Sequence, residues 1–126
     1  MKILVEHEEL ASRLQAASRV AAGKGNNPAL AGVQIVAEGE GVELRATNLE
    51  MGLVNPLIAG VEEEGTVLLP AKLLGDVVKS LPKERVEMSH DKVTGEVTIS
   101  AGSATFTLRT LRNEDFPSLP EVDEAQ

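Results

Sequence analysis

Apolar residues recur at helical spacing in two stretches of the chain and alternate at strand spacing through most of the rest. The cleaner helical stretch is residues 69–82, LPAKLLGDVVKSLP. Leu74, Val77, Val78 and Leu81 fall at the i, i+3, i+4, i+7 positions of one buried stripe, and Lys72, Asp76 and Lys79 fall together on the opposite face. Proline brackets the stretch. Pro70 stands where a helix can begin without losing a bonded N–H, and Pro82 where one must stop. The spacing therefore predicts a helix over 70–81. An earlier helix follows residue 6, with Glu8 and Glu9 in the first turn, where carboxylates suit the positive end of the dipole. Leu10, Leu14, Ala17 and Ala21 make its stripe. At about 100° per residue Arg19 lies opposite that stripe and Arg13 on its flank. The run Gly23-Lys24-Gly25-Asn26-Asn27-Pro28 ends this helix in a basic loop.

Strand signals fill the gaps. Residues 2–6, then 33–37, 42–46 and 51–58, alternate or run apolar between turn residues; after an acidic loop at 62–65 the same happens at 66–69, 85–89, 96–100 and 104–109. Pro56 predicts that its part of a strand lies at an edge or bulge, because proline cannot donate to a ladder. Strand, helix and three strands thus occur twice, over 1–58 and 66–110. The order predicts an α+β domain: a duplicated β-α-β-β-β unit with two helices packed on two four-stranded antiparallel sheets. With both stripes buried on the sheets, Arg19, Lys72 and Lys79 share the outer face of the helix layer. Asp115-Phe116-Pro117-Ser118-Leu119-Pro120 interrupts regular structure, and residues 121–126 read as an acidic linker.

Composition narrows the function. A length of 126 residues suits one domain with a real core, and the absence of cysteine removes disulfides and thiolate chemistry. No apolar run approaches the length of a membrane span, and the acids in MKILVEHEEL do not continue as a signal peptide, so a cytoplasmic setting is expected. A net charge of −8 and only two aromatics, Phe106 and Phe116, argue against a stacking single-strand binder. Net charge averages over faces, however. Arg13, Arg19, Lys24, Lys72, Lys79 and Lys83 lie in or just after the two helices, whereas acids crowd turns such as Glu62-Glu63-Glu64 and the tail.

No catalytic constellation emerges. His7 and His90 are far apart in sequence and lack metal-ligand spacing, so neither receives a role and no metal or other cofactor is expected. Gly23-Lys24-Gly25 lacks P-loop spacing and follows a helix instead of preceding one, although Lys24 can still meet a phosphate as a point charge. Ser12, Ser18, Ser80 and Ser89 have no nucleophile-elbow context. Acid–base hydrolysis through Glu62–Glu64 would need an enclosed cleft that nothing in the pattern predicts. Phe106 and Leu108 alternate with Thr105, Thr107 and Arg109 on the last strand; they can be core, or belong to a free edge able to pair with another chain.

Several runs occur together in order: Pro28-Ala29-Leu30, then Leu44-Arg45-Ala46-Thr47-Asn48-Leu49-Glu50-Met51, then Phe106-Thr107-Leu108-Arg109-Thr110-Leu111 and Asp115-Phe116-Pro117. Over about residues 1–120 the chain resembles the N-terminal domain of the bacterial DNA polymerase III β subunit, the β sliding clamp. Asn48 departs from the usual Asp of Thr-Asp-Leu-Glu, and Lys24 from a frequent Arg, which keeps the charge but loses the bidentate fork. The resemblance implies a DNA-clamp domain, the first of three over residues 1–120, followed by an interdomain linker remnant at 121–126. It implies a non-enzymatic processivity factor, a homodimeric ring around duplex DNA that tethers the replicative polymerase without reading sequence. Helices would line the channel, so that Arg19, Lys72 and Lys79, with Arg13 and Lys83 near them, face the duplex, and Lys24 matches a DNA contact. Phe106 and Leu108 match the subunit interface. DNA polymerase III and the clamp loader would bind the full-length protein in a pocket between the second and third domains; the 126-residue chain alone is expected to be a monomer. The alternative is a non-enzymatic interaction module pairing through its last edge strand, which would have no use for basic helix faces.

Overall fold

The computed structural model describes residues 1–21 and 28–117. Lys24 and residues 121–126, together with Ser118, Leu119 and Pro120, lie outside them. In chain order the elements are β1 (Lys2–Glu6), α1 (His7–Val20), a short 3-10 helix (Pro28–Ala31), β2 (Gly32–Glu38), β3 (Gly41–Thr47), β4 (Gly52–Leu57), β5 (Ala59–Glu63), β6 (Gly65–Pro70), α2 (Ala71–Ser80), β7 (Arg85–Asp91), β8 (Glu96–Ala101), β9 (Ala104–Arg109) and a 3-10 turn at Asn113–Asp115.

The two repeated units exchange their first strands. β1 joins the meander of the second unit, pairing with β7 from Lys2↔Ser89 to Glu6↔Arg85, and β6 joins the meander of the first, pairing with β2 from Gly32↔Pro70 to Ala37↔Gly65. The result is one sheet ordered β4-β3-β2-β6 and another ordered β5-β1-β7-β8-β9, all antiparallel. One sheet therefore has five strands where the sequence predicts four. The extra strand is β5, which begins just after the expected third strand and runs into the start of the acidic loop. It adds to the free side of β1 through Ile3↔Val61 and Val5↔Ala59, and Lys2 Nζ lies 3.5 Å from Glu62 Oε1. Ala59 and Val61 pack on the core, the register shifts beyond Val61, and Glu62 and Glu63 are exposed, where their charges discourage further pairing. Pro56 falls on the edge strand β4, exposed, as its missing donor requires.

One core joins the sheets and both helices. Ile3, Val5, Leu10, Leu14, Ala17, Ile35, Leu44, Leu69, Leu74, Val77, Val78, Val86, Met88 and Ile99 all belong to it. The stripe of α2 is buried in full; in α1 Val20 is buried, while Ala21 caps the helix half-buried. α2 follows Pro70 directly and ends where Leu81, extended ahead of Pro82, still donates its N–H to Val77 O at 3.1 Å. The free side of β6 is bridged by Leu111, whose N–H bonds Leu68 O at 2.8 Å, and by Asn113, whose amide reaches Thr66 O at 3.0 Å.

The β3–β4 turn accounts for Asn48. Its Oδ1 accepts the N–H groups of Glu50 (3.0 Å) and Met51 (2.9 Å), while the buried Thr47 hydroxyl accepts from Leu49 N and donates to Met51 O. An acceptor oxygen is what the turn needs, and amide and carboxylate both supply one. The same turn holds Leu49 at φ 78°, a left-handed conformation that leucine adopts only under constraint.

Candidate nucleic-acid interface

α1 and α2 lie side by side and run in opposite directions: His7, at the start of α1, hydrogen-bonds Val78 O near the end of α2 at 2.7 Å. His7 is thus a tie between the helices, a role its sequence context did not disclose. Both stripes face the sheets, so the opposite faces are exposed side by side. Arg19, Lys72 and Lys79 are all exposed there, with Glu8 and Asp76 among them. Three cations against two carboxylates leave this face net positive on a chain of net −8.

Pairing separates this face from most of the other basic residues. Lys2, Arg13, Arg45, Arg85 and Arg112 each have a carboxylate within 4.0 Å. Among the described residues, Arg19, Lys72, Lys79 and Lys83 form no such pair, and neither do Lys92, in the turn after β7, and Arg109, at the end of β9. Unpaired cations remain available to a phosphate, whereas paired ones must first give up a partner. Lys72 and Lys79 line one groove between the helices with Gln15, Ser18 and Asp76. Lys83 is exposed just beyond α2.

Arg13 points elsewhere. Its Nε bonds Glu9 Oε2 at 3.3 Å and its guanidinium reaches Asn55 Oδ1 at 3.4 Å, which turns it toward β4, on the flank of α1 away from α2. Glu9 also accepts the N–H of Ile58 at 2.8 Å. That backbone hydrogen bond, ahead of the Arg13 contacts and against some desolvation, holds the Glu9 carboxyl below its ordinary range. Burial likewise pushes His90 below the usual imidazole value. Among the described residues no three His, Asp or Glu side chains are grouped to hold a metal ion.

The second candidate surface is the free edge at β9. Phe106 stands opposite Ile99 and Leu108 opposite Val97, both partners fully buried, so the two side chains point to the core face yet remain half-covered. Leu73 extends this strip. It is 52% exposed, on the flank of α2 turned away from α1, and α2 packs along β9. The sequence held a signal for Leu73: it is the large apolar residue of α2 outside the i, i+3, i+4, i+7 stripe.

Comparison with known proteins follows the same fold. The family described as DNA polymerase III beta subunit, N-terminal domain, matches residues 1–120. The beta sliding clamp of Streptomyces coelicolor is 39% identical over 125 residues, covering 99% of this chain and 33% of the relative. That of Synechococcus elongatus is 32% identical over 128 residues, covering 100% and 34%. Among solved structures, a DNA polymerase sliding clamp from Caulobacter crescentus superposes with a TM-score of 0.89 at 27% identity, covering 98% of this chain and 34% of that one. A sliding clamp from Bartonella birtlesii gives 0.86 at 32% identity, covering 97% and 33%. The chain spans about a third of the length of the relatives it matches.

Proposed function

The chain belongs to the family of the N-terminal domain of the DNA polymerase III beta subunit, and from that premise we propose that it is the first of three similar domains of a DNA-encircling sliding clamp. Residues 1–120 are the domain in this reading and 121–126 begin the link to the next. The helix pair forms a segment of the channel wall, and Arg19, Lys72 and Lys79 contact duplex phosphates, with Lys83 and Lys24 at the margins. Arg13, committed to Glu9 and Asn55, contributes less. The observation that carries the reading is the set of unpaired cations on one face of an acidic chain.

The physical requirements match. A reader of sequence needs side chains that reach base edges, whereas a clamp needs sparse phosphate contacts that hold no particular register. Encirclement, not affinity, supplies the residence time. The domain performs no catalysis of its own in this proposal and acts in the cytoplasm, where the full-length homodimer would tether DNA polymerase III and meet the clamp loader. Phe106 and Leu108, with Leu73 beside them, form this domain's side of the subunit interface, and the isolated chain is monomeric.

Duplex binding tests the wall. In fluorescence anisotropy with a short labelled duplex, affinity should be weak and fall with salt, the log–log slope gaining about 0.9 for each phosphate engaged. Lys72→Glu with Lys79→Glu should lower the slope by about 2 units. A slope unchanged by that pair would remove the channel-wall assignment. The edge has its own test: mixed with the other two domains of such a clamp, the chain should form a complex on sizing, and Phe106→Ala should weaken it. A complex formed through β9 by a chain whose lysines are indifferent to duplex would favour the interaction-module reading instead.

A further inference from the structure

The groove between α1 and α2 encloses about 800 Å³ and is lined by Ala11, Leu14, Ala71, Gly75 and Val78 along its floor, with Lys72 and Lys79 at its rim. Its depth has a local cause. A Cβ built on Gly75 would have no neighbour within 4 Å, so nothing among the described residues fills the space beside this residue, and small side chains, Ala11, Ala21, Ala31 and Ala71, make up much of the rest of the lining. A glycine inside a helix also costs about 1 kcal/mol relative to alanine, and no backbone angle or close contact at Gly75 requires it. The outcome is an apolar slot whose size is within the range of small-molecule sites, about 300–1,000 Å³. At its mouth stand two lysines with no ion-pair partner among the described residues.

We propose that this slot is a binding site for a small amphiphilic anion: an apolar body of one or two fused rings seated on Leu14, Val78 and the small residues, and a sulfonate, carboxylate or phosphate head held by Lys72 and Lys79. Charge complementarity selects the occupant. Apolar matter is favoured on the floor, a negative group neutralises the rim, and the single carboxylate of Asp76 between the lysines disfavours an anion less than the two lysines favour it. Gln15 and Ser18 supply further donors along the α1 wall. Where the channel-wall reading holds, the ligand and the duplex use the same lysines and exclude one another; the slot itself does not depend on that reading.

The test uses the 126-residue chain and the dye 8-anilinonaphthalene-1-sulfonate. Fluorescence titration should saturate at one dye per chain, and backbone amide shifts should centre on Ala11, Gln15, Ser18 and Gly75. Gly75→Leu places a side chain in the open space and improves helix propensity, so the variant should fold and lose most of the dye binding. Lys72→Gln with Lys79→Gln should weaken the sulfonate dye about three- to tenfold while leaving the uncharged N-phenyl-1-naphthylamine unchanged. Shifts centred on residues 105–109 instead, dye binding unaltered by Gly75→Leu, or equal losses for charged and uncharged dyes would each overturn the proposal.

Discussion

The two helices occupy equivalent places in a repeated unit, yet their outer flanks are built from opposite materials. The flank of α1 that meets β4 is polar and fastened: Glu9 holds Ile58 N and Arg13, Arg13 reaches Asn55, and Asn55 donates back to Arg13 O at 3.3 Å. The corresponding flank of α2, beside β9, carries Leu73, Phe106 and Leu108, none fully covered, and none of them makes a side-chain hydrogen bond. A satisfied polar flank is complete by itself. An apolar one gains from a partner, because water against half-buried rings and leucines is removed only by another surface. Repetition thus fixes where the edges lie, and side-chain chemistry decides which of them is left to be covered.

Several measurements would break or sharpen this contrast. The largest effect is expected in the stripe that holds α2: Leu74→Ala, at a fully buried position, should cost about 3 kcal/mol in urea denaturation. Leu14→Ala in α1 should cost somewhat less, since polar ties also hold that helix. Equal losses, or a larger one at Leu14, would show that those ties carry little.

Next comes Glu9→Ala, expected to cost about 1 kcal/mol through the lost Ile58 hydrogen bond and an Arg13 left without its carboxylate. Because the folded protein holds the Glu9 carboxyl below its ordinary range, the unfolded chain takes up the proton first as pH falls. The stabilisation is therefore complete above the unfolded chain's ordinary carboxylate pKa and lost as pH drops through the lower folded one. A stability profile between neutral and acid pH should lose its Glu9 component in Glu9→Ala; parallel profiles would contradict the assignment.

Smaller still, Gly75→Ala should raise stability by about 0.5–1 kcal/mol, since alanine is a better helix former and its methyl meets open space. Smallest should be Lys72→Glu and Lys79→Glu, within about 0.5 kcal/mol of the parent in stability, because neither lysine is paired. A marked destabilisation would mean that these lysines serve the fold and are not free for a ligand.

The sequence disclosed most of the fold because alternation and helical spacing report burial directly. β1 and β9 begin and end where the pattern predicts, and α2 runs from its first proline to its second. β5 is not legible in the sequence because Ile58 continues the pattern of the preceding strand and residues 62–65 have the composition of a loop; acids in an edge strand resemble acids in a turn until the pairing with β1 is seen. The candidate site was half legible. Charge on the helix faces could be read from spacing, but whether a given cation is free depends on residues distant in the chain. Asn55 lies 42 residues from Arg13, and no local pattern connects them.

By itself, then, the sequence determined every element but β5 and the short 3-10 turns, their buried faces, the repeat and the family, since each depends on side-chain periodicity or on the order of short motifs. Tertiary structure alone decided the exchange of β1 and β6 between units, the commitment of Arg13 to Glu9, the placing of His7 against Val78 and the open slot at Gly75. These are contacts between segments brought together only by packing. Lys72 and Lys79 belong to both accounts: helical spacing turned them outward, and among the described residues no carboxylate lies within ion-pair distance of either.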